Sequence, residues 1–171
     1  LILYPTDTVW GIGCDATNAA AVAKIYHLKK RAEHKAMVVL LANKQDIAKY
    51  TTQVDERVFD YLKTTNKPTT IIYEGATKLA KNLIALDGTV GIRIVKDDFC
   101  KSLITKLKKP LVSTSANLSE KPYPQHFNAI DQSIIQGVDY VVAYKRTDNT
   151  PATPSSIVKW SPKGFAEIIR L

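Results

Sequence analysis

The amino-acid sequence predicts an α/β or α+β fold in which helices cover a central sheet. Short runs rich in β-branched and aromatic residues alternate with longer stretches whose apolar residues recur at helical spacing. The chain has 171 residues, a length that predicts a single domain over residues 1–171. Hydrophobic residues make up 45% of it and charged residues 23%, which excludes a disordered, fibrous or membrane-spanning chain.

The elements follow one another in a regular order. Strands are predicted at residues 1–4, 37–41, 69–73, 90–95, 110–113, 139–144, 155–160 and 165–170. Several of these runs are apolar throughout, which indicates burial on both faces of the sheet. Helices are predicted at residues 18–30, 44–50, 55–64, 97–107 and 131–136. Asn18 can cap the first helix, and the polar stretch 145–154 predicts a mobile loop.

The charge balance indicates anionic partners. Lys and Arg number 24 against 16 Asp and Glu, which gives a formal net charge of +8. The two cysteines, Cys14 and Cys100, have neither the spacing of a zinc site nor the number of a disulfide framework. No apolar run approaches the ~20 residues of a membrane span, and no signal peptide is evident. We therefore expect a cytoplasmic protein with no membrane association and no metal-ligating cluster.

The loop after the first strand is the first candidate for ligand binding. Residues 5–13 read PTDTVWGIG and follow a strand end, where ligands bind in open sheets. The hydroxyls and glycines allow the backbone to approach a polar ligand closely. The G-x-G lacks the third glycine of a dinucleotide motif, so a tight strand-exit turn explains the pattern equally well.

Basic residues form the second candidate. Lys29, Lys30 and Arg31, followed by His34 and Lys35, lie at a helix C-terminus, where the helix dipole favours positive charge. The cluster leads into an apolar strand, so its side chains can instead point towards the first loop. Arg93 lies inside the apolar run VGIRIV, where its charge needs an anionic partner. That partner is either a structural carboxylate or a ligand carboxylate or phosphate.

Hydroxyl and amide residues form the third candidate. Residues 110–119 read PLVSTSANLS, an apolar strand that ends in Ser, Thr and Asn. Such a turn can simply cap itself. Ser155 begins one predicted strand, Arg170 ends another, and Tyr123 stands between two prolines. No nucleophile with a neighbouring base is evident, so the sequence favours catalysis by positioning and charge stabilisation, as in phosphoryl and nucleotidyl transfer.

Taken together, PTDTVWGIG, the K-x-R of Lys29 and Arg31, the GIR that ends at Arg93 and the STSAN of residues 113–117 resemble the YrdC/Sua family of threonylcarbamoyl-AMP synthases. The resemblance covers essentially the whole chain. It implies a twisted mixed sheet flanked by helices around a basic concave cavity. It also implies an L-threonylcarbamoyladenylate synthase, which makes threonylcarbamoyl-AMP and pyrophosphate from L-threonine, bicarbonate and ATP. A partner transferase then moves the threonylcarbamoyl group to adenosine in tRNA.

The resemblance also implies site residues. Those for threonine are Thr8, Arg93, Ser113 and Ser155, with Arg93 facing the carboxylate. Those for ATP are Arg31, Lys35, Thr89, Ser115, Tyr123 and Arg170. The catalytic tetrad around the phosphates is Lys29, Arg31, Ser115 and Asn117. Mg²⁺ would be held mainly by the phosphates of ATP, with no metal ligands from the protein.

The sequence departs from the family pattern in two places. The family usually continues R-P-x-x-N-P-L after the K-x-R and places a histidine in the next strand, whereas this chain has RAEHKAM and Leu40. The usual S-G after S-A-N is Ser119-Glu120. Lys35 can still meet a phosphate, but Leu40 cannot donate a hydrogen bond to threonine. Two alternatives therefore stay open: an RNA-binding module of the same fold, for double-stranded RNA or tRNA, and a paralogue without synthase activity.

Overall fold

The computed structural model describes residues 1–33, 35–161 and 164–171. In this part of the chain the strands are β1 Ile2–Tyr4, β2 Gly11–Gly13, β3 Val38–Leu41, β4 Thr69–Tyr73, β5 Val90–Ile94, β6 Leu111–Ser115, β7 Tyr140–Val141, β8 Ser156–Trp160 and β9 Ala166–Arg170. The α-helices are α1 Ala19–Lys29, α2 Arg57–Thr64, α3 Asp98–Leu107 and α4 Gln132–Gly137. Short 3₁₀-helical segments occupy Lys44–Lys49, Lys81–Leu83 and Phe127–Ala129.

The strands of the described residues form one mixed sheet of nine strands in the order β7-β1-β2-β6-β3-β5-β4-β8-β9. The pairs β1–β7, β3–β5 and β4–β8 are parallel, and the other neighbours are antiparallel. Helices flank this sheet, which confirms the predicted α/β class. That residues 1–171 form a single domain stays a prediction.

One face of the sheet builds the main hydrophobic core. In-register residues on neighbouring strands point to the same side of a sheet. Such a row crosses five strands at Val112, Val39, Ile92, Ile71 and Val158. All five side chains are buried, and they belong to the same core as apolar residues of α1, α2 and α4. These three helices therefore cover this face.

The opposite face is only partly covered. Helix α3 packs Cys100 and Ile104 against Leu40 of β3 and Leu111 of β6, which makes a second, smaller core. Further along the same face Ser113 and Gly91 flank Val38, so this part offers less apolar surface for another helix to cover. The uncovered part of the face is the floor of the cavity described below.

The helix ends follow the sequence signals. Asn18 accepts a hydrogen bond from the Ala21 amide at 3.0 Å, as expected of an N-cap. Asp97 caps α3 in the same way through the Cys100 amide at 2.8 Å. The helix predicted at residues 44–50 is instead 3₁₀-helical, and the strand predicted at 139–144 is reduced to Tyr140–Val141.

Strand β2 is absent from the sequence prediction, which treated residues 5–13 as a loop. It lies between β1 and β6, and these neighbours rather than β-branched residues hold it in extended form. Gly13 is required there, because a Cβ atom would lie 2.6 Å from the Val112 carbonyl oxygen and 2.8 Å from the Tyr4 ring. Strand β6 also runs further than predicted, to Ser115, so its hydroxyls lie on the strand.

Candidate functional site

A cavity of about 290 Å³ occupies the uncovered face of the sheet. Nine of the residues that the sequence analysis singled out line it: Thr8, Arg31, Arg93, Ser113, Ser115, Asn117, Tyr123, Ser155 and Arg170. They come from the loop after β1, the end of α1, β5, β6 and its following loop, and the start and end of the β8–β9 hairpin. The fold thus brings together side chains that are distant in sequence.

The cavity exists because the strands beneath it carry little side-chain volume. Gly11, directly opposite Ser115 on β2 and β6, lines the wall beside Ser113. A Cβ atom at Gly11 would lie 3.3 Å from the Ser113 Oγ atom, so a larger residue would crowd this hydroxyl. Gly91 of β5 lies opposite Val38 on the same face and adds no side chain. Small residues on adjacent strands therefore leave room for a ligand.

Arg93 has a structural partner. Its Nη2 atom lies 3.0 Å from Asp7 Oδ1, and the side chains of the two residues are 4% and 8% exposed. The Lys96 amide donates to the other Asp7 oxygen at 3.3 Å, which ties the loop after β1 to the end of β5. The Nε and Nη2 atoms of Arg93 make no aligned hydrogen bond within the described residues. Arg93 therefore lines the cavity as a cation that is already paired with a buried carboxylate.

Two further arginines are held by backbone carbonyls. The Arg31 guanidinium donates to the carbonyl oxygens of Lys35 and Ala36 at 2.8 and 2.9 Å. The Arg170 guanidinium donates to the Ser155 carbonyl oxygen at 3.2 and 2.9 Å. Burial lowers the pKa of both groups, yet a guanidinium stays charged under ordinary conditions. Carbonyls orient these side chains without neutralising them, so the cavity keeps positive charge.

Hydroxyl groups complete the lining. The Ser155 Oγ atom lies 2.9 Å from Thr70 Oγ1, and both residues are buried. The Thr8 hydroxyl lies 2.9 Å from that of Thr6, which also accepts from the Thr8 amide at 3.0 Å. These contacts fix the hydroxyls of Thr8 and Ser155 at the cavity wall, where each oxygen can still accept a hydrogen bond from a ligand.

Lys29 lies behind the cavity wall. Its side chain is 1% exposed, and its ammonium donates to the carbonyl oxygens of Ser115 and Asn117 and, at 3.4 Å, to the Asn117 side-chain oxygen. Burial, with a smaller effect from Arg31, lowers the pKa of Lys29 to about 7. Lys29 therefore anchors the loop that carries two predicted tetrad members.

Three predicted residues do not line the cavity. The Lys29 ammonium donates to the Ser115 carbonyl oxygen behind the wall. Lys35 lies at the rim of the cavity, where it forms an ion pair with Glu120. Thr89, predicted for the ATP site, donates its hydroxyl to Asp87 at 2.7 Å in a turn before β5. A local partner of this kind is not visible in a family motif. His34 lies outside the described residues.

The sequence analysis missed two residues of the site. Asp7 was part of the first motif, but nothing in the sequence paired it with Arg93, 86 positions later. Lys121 lines the cavity and adds a cation to Arg31, Arg93 and Arg170. The only sequence signal near Lys121 is that it directly follows Ser119-Glu120, where this chain differs from the family's Ser-Gly. No carboxylate is found among the described residues that line the cavity.

Other features bear on cofactors and location. Across residues 1–33, 35–161 and 164–171 no group of three or more His, Cys, Asp or Glu side chains is arranged to hold a metal ion. None of the helices in this part of the chain combines the length and apolar character of a membrane span. Burial raises the pKa of the Cys14 thiol to about 12, and Cys100 is buried as well, so neither thiol is placed to react.

The sequence of this chain is similar to that of several characterised proteins. The family model Sua5/YciO/YrdC, described as "Telomere recombination", matches residues 1–171. A Methanocaldococcus jannaschii protein is 32% identical over 161 residues, which cover 93% of this chain and 73% of that protein. The human protein named "Threonylcarbamoyl-AMP synthase" is 35% identical over 122 residues, 71% of this chain and 43% of the human protein. The chain therefore spans less than half of the human relative.

Solved structures share the fold. Pyrococcal Sua5, from P. abyssi in complex with L-threonine, superposes with a TM-score of 0.81 at 20% identity over 93% of this chain and 46% of that one. E. coli YciO superposes with a TM-score of 0.78 at 19% identity over 99% of this chain and 81% of that one. At these identities the likeness establishes the architecture alone.

Proposed function

The chain belongs to the Sua5/YciO/YrdC family, and we propose that it is an L-threonylcarbamoyl-AMP synthase. It would form threonylcarbamoyl-AMP and pyrophosphate from L-threonine, bicarbonate and ATP. The observation that carries the proposal is the cavity, whose lining has four cations and several hydroxyls but no carboxylate among the described residues. Such a lining suits a substrate carboxylate and a chain of phosphates.

Threonine would bind around Arg93. The guanidinium lines the cavity and would meet the carboxylate from that side while it stays paired with Asp7, and the hydroxyl residues Thr8, Ser113 and Ser155 line the same cavity. Asp7 pairs with Arg93 from outside the lining, so this part of the cavity carries less net positive charge than the rest. That difference supports a singly charged carboxylate here rather than a polyphosphate.

ATP would bind along the rest of the cavity. Arg31 and Arg170 offer charge that carbonyls orient but do not neutralise, and Lys121 adds a further cation to the lining. Ser115, Asn117 and Tyr123 add polar or aromatic contacts, and Lys35 lies at the rim within reach of a phosphate tail. Thr89 is left out of this proposal, because its hydroxyl serves Asp87.

The reaction would proceed in three steps. Bicarbonate takes up a proton and loses water to give carbon dioxide. The deprotonated amine of threonine then forms a C–N bond to this carbon and releases a proton, which gives a carbamate. A carbamate oxygen then attacks the α-phosphorus of ATP, a new P–O bond forms, and the bond to the β-phosphate breaks with release of pyrophosphate. Clustered cations stabilise the charge that develops on the phosphates, and the fixed binding of both substrates aligns the reacting atoms.

Mg²⁺ would reach this site on the triphosphate. The lining offers hydroxyl oxygens but no carboxylate among the described residues, so the phosphates would supply its main ligands. A bound Mg²⁺ would help pyrophosphate to leave. Lys29 would act in positioning, since it holds the backbone of Ser115 and Asn117 beside the reacting groups.

The product would serve tRNA modification. Threonylcarbamoyl-AMP is a mixed anhydride with phosphate, so it would pass to a threonylcarbamoyl transferase that modifies adenosine in tRNA. We expect this to take place in the cytoplasm, with tRNA or double-stranded RNA as a further partner of the basic surface.

The departure at Leu40 lies next to the proposed threonine site. Leu40 is fully buried under α3, packs beside Leu111 and lies opposite Arg93 on β5, but does not itself line the cavity. This chain would therefore bind the threonine carboxylate without a histidine hydrogen bond beside Arg93. A paralogue without activity remains the alternative that the following experiment separates.

The test is pyrophosphate release from ATP by the purified protein. We expect release that requires both L-threonine and bicarbonate, with much less release when serine replaces threonine. Two results would contradict the synthase and favour the RNA-binding module or an inactive paralogue. They are pyrophosphate release that does not depend on the amino acid, and no pyrophosphate release although ATP still binds.

A further inference from the structure

An ion pair joins the two segments that line the cavity mouth. The Lys35 ammonium lies 3.2 Å from Glu120 Oε1, with side chains 43% and 81% exposed. Lys35 directly precedes Ala36, and Glu120 directly precedes Lys121; both following residues line the cavity. The pair thus sits at the rim, where a triphosphate would enter or leave. It also joins the two positions at which the sequence departs from its family pattern.

The backbone on each side holds the pair in place. Glu120 has a φ of +68°, a left-handed conformation that favours glycine, so a charged side chain here is accepted at a conformational cost. Its loop is fixed by the Asn117 side chain, which donates to the Lys121 carbonyl oxygen. On the other side, Arg31 donates to the Lys35 carbonyl oxygen at 2.8 Å. The two charges are therefore presented to each other by anchored backbone.

Lys35 faces two competing anions. In the free protein its ammonium has the Glu120 carboxylate as a partner. A triphosphate in the cavity would offer oxygens of higher charge to the same ammonium, while its own charge would repel Glu120. Because the carboxylate and the phosphates repel each other, the ammonium holds the two anions together less well than it holds either one alone.

We propose that Glu120 is an internal competitor of the nucleotide: ATP binds by displacing the Glu120 carboxylate from Lys35. This proposal rests on the synthase function only in taking ATP as the ligand. It makes Glu120 a residue that sets nucleotide affinity without touching the substrate.

The test is calorimetric binding of ATP in the absence of threonine and bicarbonate, so that no turnover is needed. Exposed ion pairs contribute little individually, and removal of this one should tighten ATP binding about two- to five-fold in Glu120→Gln. Lys35→Met should weaken binding by a similar factor. Adding Glu120→Gln to Lys35→Met should then give no further change, because the carboxylate acts through the ammonium.

Two controls make the result specific. Glu56→Gln removes the same charge from an exposed position at the start of α2 and should leave ATP binding unchanged. Adenosine, which lacks phosphates, should bind the parent and Glu120→Gln equally well. The gain for ATP should also shrink as salt is raised.

Three outcomes would overturn the proposal. They are an unchanged ATP affinity in Glu120→Gln, an equal gain in the presence and absence of Lys35, and an equal gain in Glu56→Gln. The second outcome would show general repulsion in place of competition for one cation. If the synthase assay fails while the variants still differ in ATP affinity as expected, the enzymatic function is contradicted and the competition between Glu120 and ATP is not.

Discussion

Replacement of Arg93 offers a way to separate substrate binding from stability. Arg93 and Asp7 form a buried ion pair, and the same guanidinium lines the cavity. Arg93→Gln removes the cation from both roles. The double variant Asp7→Asn with Arg93→Gln removes both charges and keeps the approximate shapes of the side chains. It therefore leaves no unpaired buried charge, but it still lacks the cation that would bind the threonine carboxylate.

The two effects differ in size. Loss of one member of a buried ion pair costs about 3–5 kcal/mol of unfolding free energy, so Arg93→Gln should be clearly less stable than the parent. The double variant leaves no buried charge and should recover most of that loss. A hydrogen bond to a charged group contributes about 1.5–3 kcal/mol, which predicts a rise of roughly 10- to 150-fold in the threonine KM of both variants.

Urea denaturation gives the stability of each variant, and pyrophosphate release gives the KM values. The ATP KM should change little, because the phosphates are assigned to other cations. Asp7→Asn alone should lose stability but keep most of its threonine affinity, since Arg93 remains. An unchanged threonine KM in the double variant, or equal losses for threonine and ATP, would refute the assignment of Arg93 to the threonine carboxylate.

Two further predictions concern Lys29 and the glycines of β2. The pKa of Lys29 is about 7 in the folded protein, against an ordinary value of 10.5. Between pH 7 and 10.5 the Lys29 amine is therefore more fully protonated in the unfolded chain than in the folded protein. The free energy of unfolding should therefore rise with pH from 7 to 10.5, and Lys29→Met should lose part of that rise in urea denaturation at pH 7 and 9.5; an identical rise would contradict the burial of a titrating ammonium. Gly13→Ala, whose Cβ would lie 2.6 Å from the Val112 carbonyl oxygen, should cost about 1–3 kcal/mol. Gly11→Ala, with a nearest approach of 3.3 Å, is the matched control, and equal losses would contradict the close packing at Gly13.

The fold class could be predicted because its main signals are local. Apolar strand runs such as those around Val39 and Ile92 are buried on the sheet, as their composition indicates. The caps Asn18 and Asp97 begin their helices within one residue of the expected positions. Strand β2 could not be predicted, because Gly11–Gly13 is short and two of its three residues are glycines of low strand propensity, so it depends on its neighbours.

The site residues could be predicted as a set, but their individual contacts could not. Motif order placed Arg93 and Ser113 in one site, and both line the cavity. The pairing of Arg93 with Asp7 depends on the packing of a loop against a distant strand end. The inward course of Lys29 likewise depends on carbonyls of the loop after β6, which spacing along the chain does not reveal.

Identification of the reaction product tests the proposed synthase activity most directly. The protein is incubated with ATP, L-threonine and ¹³C-bicarbonate, and the nucleotides are separated and weighed by mass spectrometry. We expect a species with the mass of threonylcarbamoyl-AMP that carries the label from bicarbonate and disappears when threonine is omitted. ATP recovered unchanged, or AMP formed without a labelled threonine adduct, would contradict it.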